Sequence, residues 1–196
     1  MKLSAIKAGG RTIGWSGVIV ALVCVLLTGW ALQLTPDGFK QDSRATDIGE
    51  PFEVEGSTWT VAEVRYAGFV TVGQTVLGPT QDVYVAVLLT LSAGMTDFLQ
   101  PEVYLQTTDD VERRPVRRPP MVVPAGYTGG GWMIFEVPAN RLAGAKITAV
   151  PAATMLRFPP QLVVDLGLDQ SAVDDVVAQV PTSTADLTDL EVEPQP

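Results

Sequence analysis

The sequence predicts a mainly-β protein, an antiparallel β-sandwich that follows a single N-terminal transmembrane helix. Three observations carry this. Residues 13–34 form a run of twenty-two positions without a charged side chain. From residue 48 onward, short apolar runs alternate with turn residues, and no long helical pattern intervenes. The single cysteine, Cys24, lies inside the uncharged run, so the rest of the chain has no disulfide. A hydrophobic core must hold it, and roughly 120 residues suffice for one.

As a helix, residues 13–34 would be about 33 Å long, enough to cross a hydrocarbon core of about 30 Å. Lys2, Lys7 and Arg11 precede the run, and all twenty-two acidic residues follow it. This asymmetry places residues 1–12 in the cytoplasm and everything after residue 34 outside the cell membrane. The run is longer than the h-region of about 7–15 residues in a signal peptide. Trp15 and Trp30 stand near its ends, as interfacial anchors do. Both features favour an uncleaved single-pass anchor in the bilayer over a cleaved leader, although Gly29 and Ala31 have a spacing compatible with cleavage. A lipoprotein is disfavoured, because Val23 stands before Cys24 where a small residue is needed.

Ten basic and twenty-two acidic side chains follow residue 34, a net charge of −12. No basic stripe is available to neutralise a phosphate backbone, so nucleic acid is excluded as a partner. The chain contains no histidine. Ser-His-Asp and Cys-His nucleophile systems and His-ligated metal sites are therefore removed. Thiolate sites outside the membrane go with the missing cysteines. The expectation is a non-enzymatic chain with no cofactor, no catalytic residue and no metal.

Residues 35–47 are polar and contain Pro36 and Gly38, which reads as a spacer. Phe52-Glu53-Val54-Glu55 alternates, and Gly56-Ser57 turns the chain into a second run, residues 58–66. Residues 67–80 are rich in Gly and Thr and read as a hairpin or loop. Val83, Val85, Val87, Leu89 and Leu91 share one face of a strand, while Tyr84, Ala86 and Leu88 make its other face apolar as well. That pattern predicts a central strand covered on both sides. Residues 102–107 follow as a strand, and Thr108-Asp109-Asp110 turns it back toward residues 112–118. There Pro115, Pro119 and Pro120 restrict hydrogen bonding to an edge or irregular segment. Residues 128–137, 146–150 and 162–166 supply the last strands of the domain spanning 48–168. In the acidic tail, residues 169–196, Val173, Val176, Val177 and Val180 recur at helical spacing behind Asp169 and Ser171 as caps. Beyond Pro181 the composition predicts disorder.

The order of Ile48-Gly49-Glu50-Pro51-Phe52-Glu53-Val54, Trp59-Thr60-Val61-Ala62-Glu63-Val64-Arg65, the long strand of residues 84–92, Val123-Pro124-Ala125-Gly126-Tyr127 and Gly131-Trp132-Met133-Ile134-Phe135-Glu136-Val137-Pro138 has a counterpart. It resembles the bacterial immunoglobulin-like domain of unknown function found in lipoproteins and single-pass membrane proteins of Gram-positive bacteria. The Pro-x-Gly turn leading into the W-x-x-F-E-V-P strand is the most specific piece. Ser92-Ala93-Gly94 stands where that family usually has an Asn-Thr-Gly-like turn. The resemblance implies an immunoglobulin-like antiparallel β-sandwich on the cell surface, and it brings no catalytic residues.

Arg113, Arg114, Arg117 and Arg118 form the basic cluster of this acidic domain. Guanidinium groups pair bidentately with carboxylates or phosphates, of a cell-wall polymer or of a partner's acidic loop. A ladder with Asp109, Asp110, Glu112 and Glu102 along an exposed edge strand is the simpler account. If the domain has a partner contact outside the membrane, these four arginines are the expected surface. Tyr127-Thr128-Gly129-Gly130-Gly131-Trp132 lacks the Lys-Ser/Thr and the following helix of a phosphate loop, and reads as a strand entry or bulge. Trp132 alternates with Ile134, which predicts core rather than an exposed platform. Asp109-Asp110-Glu112 and Asp174-Asp175 lack the spacing of a calcium loop. The function expected is an extracytoplasmic binding or accessory module, a non-catalytic subunit of a membrane transport or envelope-assembly system with a membrane or envelope protein partner. The alternative is a surface domain that binds a small ligand or a cell-wall polymer.

Overall fold

The computed structural model describes residues 42–54, 56–95, 98–99, 101–151 and 160–195. The expected span, the cytoplasmic N-terminus and most of the spacer lie outside the described residues. Among those described, no helix is long and apolar enough to cross a membrane.

In chain order the strands begin with β1 (Ser43–Thr46), β2 (Phe52–Val54), β3 (Ser57–Ala67), β4 (Phe69–Val72) and β5 (Thr75–Leu77). β6 (Val83–Ser92), β7 (Phe98–Leu99), β8 (Glu102–Gln106), β9 (Glu112–Arg113) and β10 (Val122–Val123) follow. The last are β11 (Tyr127–Val137), β12 (Lys146–Val150), β13 (Gln161–Asp165), then helix α1 (Gln170–Gln179), β14 (Thr184–Leu187) and β15 (Leu190–Pro194). One five-stranded sheet runs β15-β11-β6-β3-β2 and a second runs β1-β13-β12-β8-β9. A three-stranded sheet, β14-β4-β5, and the β7–β10 pair complete the set.

The main core lies between the two five-stranded sheets. Trp59, Val61, Val85, Leu89, Leu91 and Phe135 from the first meet Leu105, Ile147, Leu162 and Val164 from the second, all of them fully buried. Each such side chain contributes about 1.5–3 kcal/mol relative to exposure. β6 pairs with β11 on one side and β3 on the other, in the middle of its sheet. Its odd-numbered residues fill the main core. Its even-numbered Tyr84 and Ala86 join Trp132 and Ile134 in a second cluster, closed by Val70, Val72, Ala185 and Leu187 of the three-stranded sheet. The apolar character of both faces of β6, visible in the sequence, thus has a layer to account for each.

The sandwich departs from the expected architecture at its ends. Two pairings are parallel rather than antiparallel, β1 with β13 and β14 with β4. Parallel neighbours need a long connection, and here more than a hundred residues separate the partners. Both pairings bring a terminal segment back onto the body of the fold. Residues 43–46, expected as spacer, are therefore a strand. The tail beyond Pro181, expected to be disordered, forms β14 and β15. Burial of Ala185 and Leu187 and backbone pairing to β4 and β11 offset the ordering cost that its acidic composition suggests it could not meet. Asp186, Glu191 and Glu193 sit outward, and Asp186 Oδ1 accepts a hydrogen bond of 2.6 Å from the Thr71 hydroxyl.

α1 forms where the valine spacing places it. Asp169 is its N-cap, accepting from the Ala172 N–H at 2.8 Å. Val173 and Val180 are buried against the main core and Val176 packs on it, while Val177 lies at the margin. The helix docks on its own sandwich.

Candidate functional site

From Glu112 to Pro119 the chain runs with one bend, at Val116, and covered residues alternate with exposed ones. Glu112, Arg114, Val116 and Arg118 are exposed; Arg113, Pro115 and Arg117 are partly covered and Pro119 is buried. Four arginines that read as one cluster in sequence are thereby divided two and two.

Arg117 belongs to the interior set. Its backbone bridges to Ile134 of β11, donating to the Ile134 carbonyl at 3.3 Å and accepting from the Ile134 N–H at 3.0 Å. Its guanidinium donates to the Trp132 carbonyl at 2.7 Å and to both oxygens of Asp189, at 3.3 and 2.6 Å. Only 16% of the Arg117 side chain is exposed. Asp189 also accepts from the Trp132 N–H at 2.8 Å, and the Trp132 indole N–H donates to the Thr188 carbonyl at 3.1 Å. The free side of β11 is thus shared. β15 covers it from Tyr127 to Gly130, Arg117 covers Ile134, and the Arg117–Asp189 pair joins the two segments around Trp132. On the ring itself, the Arg65 guanidinium lies 5.3 Å from the Trp132 centroid.

The glycines of β11 make this packing possible. A Cβ on Gly131 would stand 2.6 Å from Pro119 Cγ, and one on Gly130 would stand 2.9 Å from the Leu89 carbonyl and 3.0 Å from Leu190 Cδ1. The glycine run is therefore a strand with a register shift opposite β15, between Thr128 and Gly130, in keeping with the bulge expected there.

Arg114 and Arg118 line the outside. Arg118 donates to Glu102 at 2.8 Å and to the Pro101 carbonyl at 3.1 Å. Arg114 stands 6.0 Å from the Tyr104 ring. Arg113 lies on β9, the outer strand of its sheet. Asp109, in the preceding turn, is held below the usual carboxylate range chiefly by the Thr107 hydroxyl, with smaller help from Arg141 and Arg113. Among the described residues no group of three or more His, Cys, Asp or Glu side chains is placed to hold a metal ion. Asp109 and Asp110 occupy the β8–β9 turn, with Asp110 at φ 57°.

Sequence reasoning missed the Asp189–Trp132–Arg117 arrangement. Asp189 reads as one of seven acids in the tail, and nothing local marks it as the partner of a residue 72 positions away.

The class defined by these features is a β-sandwich with a third, smaller sheet on one outer face. The chain is similar in structure to the yjhA protein from Bacillus subtilis, with a TM-score of 0.46 and 14% identity, over 61% of this chain and 99% of that one. It is similar also to an uncharacterized β-sandwich protein from Clostridium difficile 630, with a TM-score of 0.46 and 11% identity, over 67% of this chain and 99% of that one. No family model and no curated protein matches the sequence.

Proposed function

We propose that the chain is a membrane-anchored, extracytoplasmic, immunoglobulin-like module that acts without catalysis, as an accessory subunit of a membrane transport or envelope-assembly system. The observation that carries the reading is the uncharged run of residues 13–34, with basic residues alone before it and every acid after it. The resemblance of residues 48–168 to the immunoglobulin-like domain of Gram-positive lipoproteins and single-pass proteins supports it. Within the arginine segment, Arg114 faces outward toward an acidic partner, Arg118 faces outward already paired with Glu102, Arg113 lies at the sheet edge, and Arg117 serves the fold.

Co-purification of the full chain in mild neutral detergent tests the proposal. A membrane or envelope protein recovered in stoichiometric amount is the expected result. A lone chain that instead retains glycan on an array favours the surface-binding alternative.

A further inference from the structure

We propose that the end of the sandwich at which the chain enters rests on the bilayer, with an apolar tip dipping into the lipid interface. This rests on the membrane-anchored reading above and adds a second, shallow contact to it. The strand registers define that end. In the second sheet Ser43 pairs with Gln161, Ala149 with Leu162, and Val150 with Glu102. The Gln161 N–H also donates to the Asp42 carbonyl at 2.8 Å. The point of entry, Asp42, therefore shares one end of that sheet with Val150 and Glu102. Pro101 leads from Glu102 back toward β7, which pairs with β10. The turn after β10 opens β11, where Thr128 pairs with Ser92, the last residue of β6. Both sheets thus present the same end.

Exposed apolar side chains gather here. Met95 is 99% exposed, Val122 59%, Val192 49% and Tyr127 38%. They are neighbours. Val122 and Val192 line one groove. The Gly126 N–H donates to the Ala93 and Gly94 carbonyls at 3.1 and 2.9 Å, which brings the turn before Tyr127 against the one that carries Met95. Residues 83–96 and 119–135, which supply both turns, contain no charge in this acidic chain. A patch of this kind marks a protein or membrane contact, and a tyrosine at its margin suits a membrane–water interface. The tether selects the membrane. The uncharged run ends at residue 34, and residues 35–41 reach about 25 Å at most when fully extended. An end held that close meets lipid at a high effective concentration. Asp42, Glu53 and Glu193 are exposed acids at the same end, and Glu102 is paired with Arg118. They offer anionic headgroups no attraction, so the contact is apolar and needs no lipid charge.

The test uses the full chain in phosphatidylcholine vesicles that contain lipid spin-labelled on its acyl chains. An environment-sensitive fluorophore is placed by Met95→Cys in a Cys24→Ser background, and for comparison by Glu112→Cys, at the far end of β8 beside Gln106. Both positions are exposed, so the fold is left intact. Quenching should be at least about fivefold stronger at position 95 than at position 112, and raised salt should not weaken it. Val122→Asp with Val192→Asp should remove most of the quenching at position 95. Equal quenching at the two positions overturns the inference. So does quenching that survives the double variant, since the tether alone would then account for it. A label at position 95 that lipid leaves unquenched and a co-purified protein shields gives the tip to that protein. The native cysteine separates this inference from the reading beneath it. A fluorophore on Cys24 of the wild-type chain that lipid fails to quench overturns the anchored reading, whereas a quenched Cys24 label beside an unquenched one at position 95 overturns the tip contact alone.

Discussion

Asp189 collects three donors, two from Arg117 and one from the Trp132 backbone, and this makes one exposed-looking acid a structural residue. The pair is only partly screened, with side chains 16% and 34% exposed. Arg117→Ala would strand the carboxylate and free the Trp132 carbonyl. We expect a loss of about 1–3 kcal/mol, below the 3–5 kcal/mol or so of a fully buried pair because of that residual exposure. Arg114→Ala, on the opposite face of the same segment, should stay within about 0.5 kcal/mol of wild type. Denaturant titration of both variants checks the division of the arginines, and equal effects would contradict it. Asp169 offers a pH test at the same scale. The Ala172 N–H, followed by the Ser171 hydroxyl, holds its carboxyl below the ordinary value of 3.8. Its contribution to stability is therefore present above the ordinary pKa and lost as pH falls through the lower, folded one. Asp169→Ala should melt below wild type at neutral pH, and the gap should close in acid. Asp169→Asn, an equally good cap, should show neither effect at neutral pH.

At the scale of elements, the tail is the part whose contribution differs most from what its composition suggests. β14 covers Trp132 and Ile134, β15 pairs with residues 127–130 of β11, and Leu187 alone contributes about 1.5–3 kcal/mol by burial. Truncation after Ser183 should therefore lower the midpoint of unfolding and expose an apolar patch on the outer face of the β11–β6–β3 sheet. Dye binding and self-association of the truncated chain are the readouts. A truncated chain as stable and monodisperse as the full one would show that the two strands merely rest on the surface. The strands of the main body are local consequences of their sequence. Period-two alternation in β2, β3, β8 and β13 sends Phe52, Trp59, Leu105 and Leu162 inward, and the same residues carry the pattern by which those strands are recognised.

At the scale of the molecule, the orientation proposed for the chain makes a direct prediction. On intact, wall-stripped cells, added protease should remove an epitope placed after Pro196 and spare one placed before Ile13; a protected C-terminal epitope would reverse the topology. Since the single cysteine falls within the proposed span, reductant should leave the melting temperature of the full chain in detergent unchanged.

The sequence by itself determined the alternating strands, the two-faced character of β6, the capped helix and the burial of Trp132. Each of these follows from residue spacing along one element, and spacing is written in the chain. Only the tertiary structure decided that residues 43–46 join β13, that the acidic tail closes the second cluster, and that four neighbouring arginines serve two different faces. Edge pairing is made by backbone groups that every residue carries, so it leaves no side-chain signature. A salt bridge across 72 residues has no local period to betray it. Those contacts exist because the three-layer packing brings Arg117, Trp132 and Asp189 together, and the chain between them does not record it.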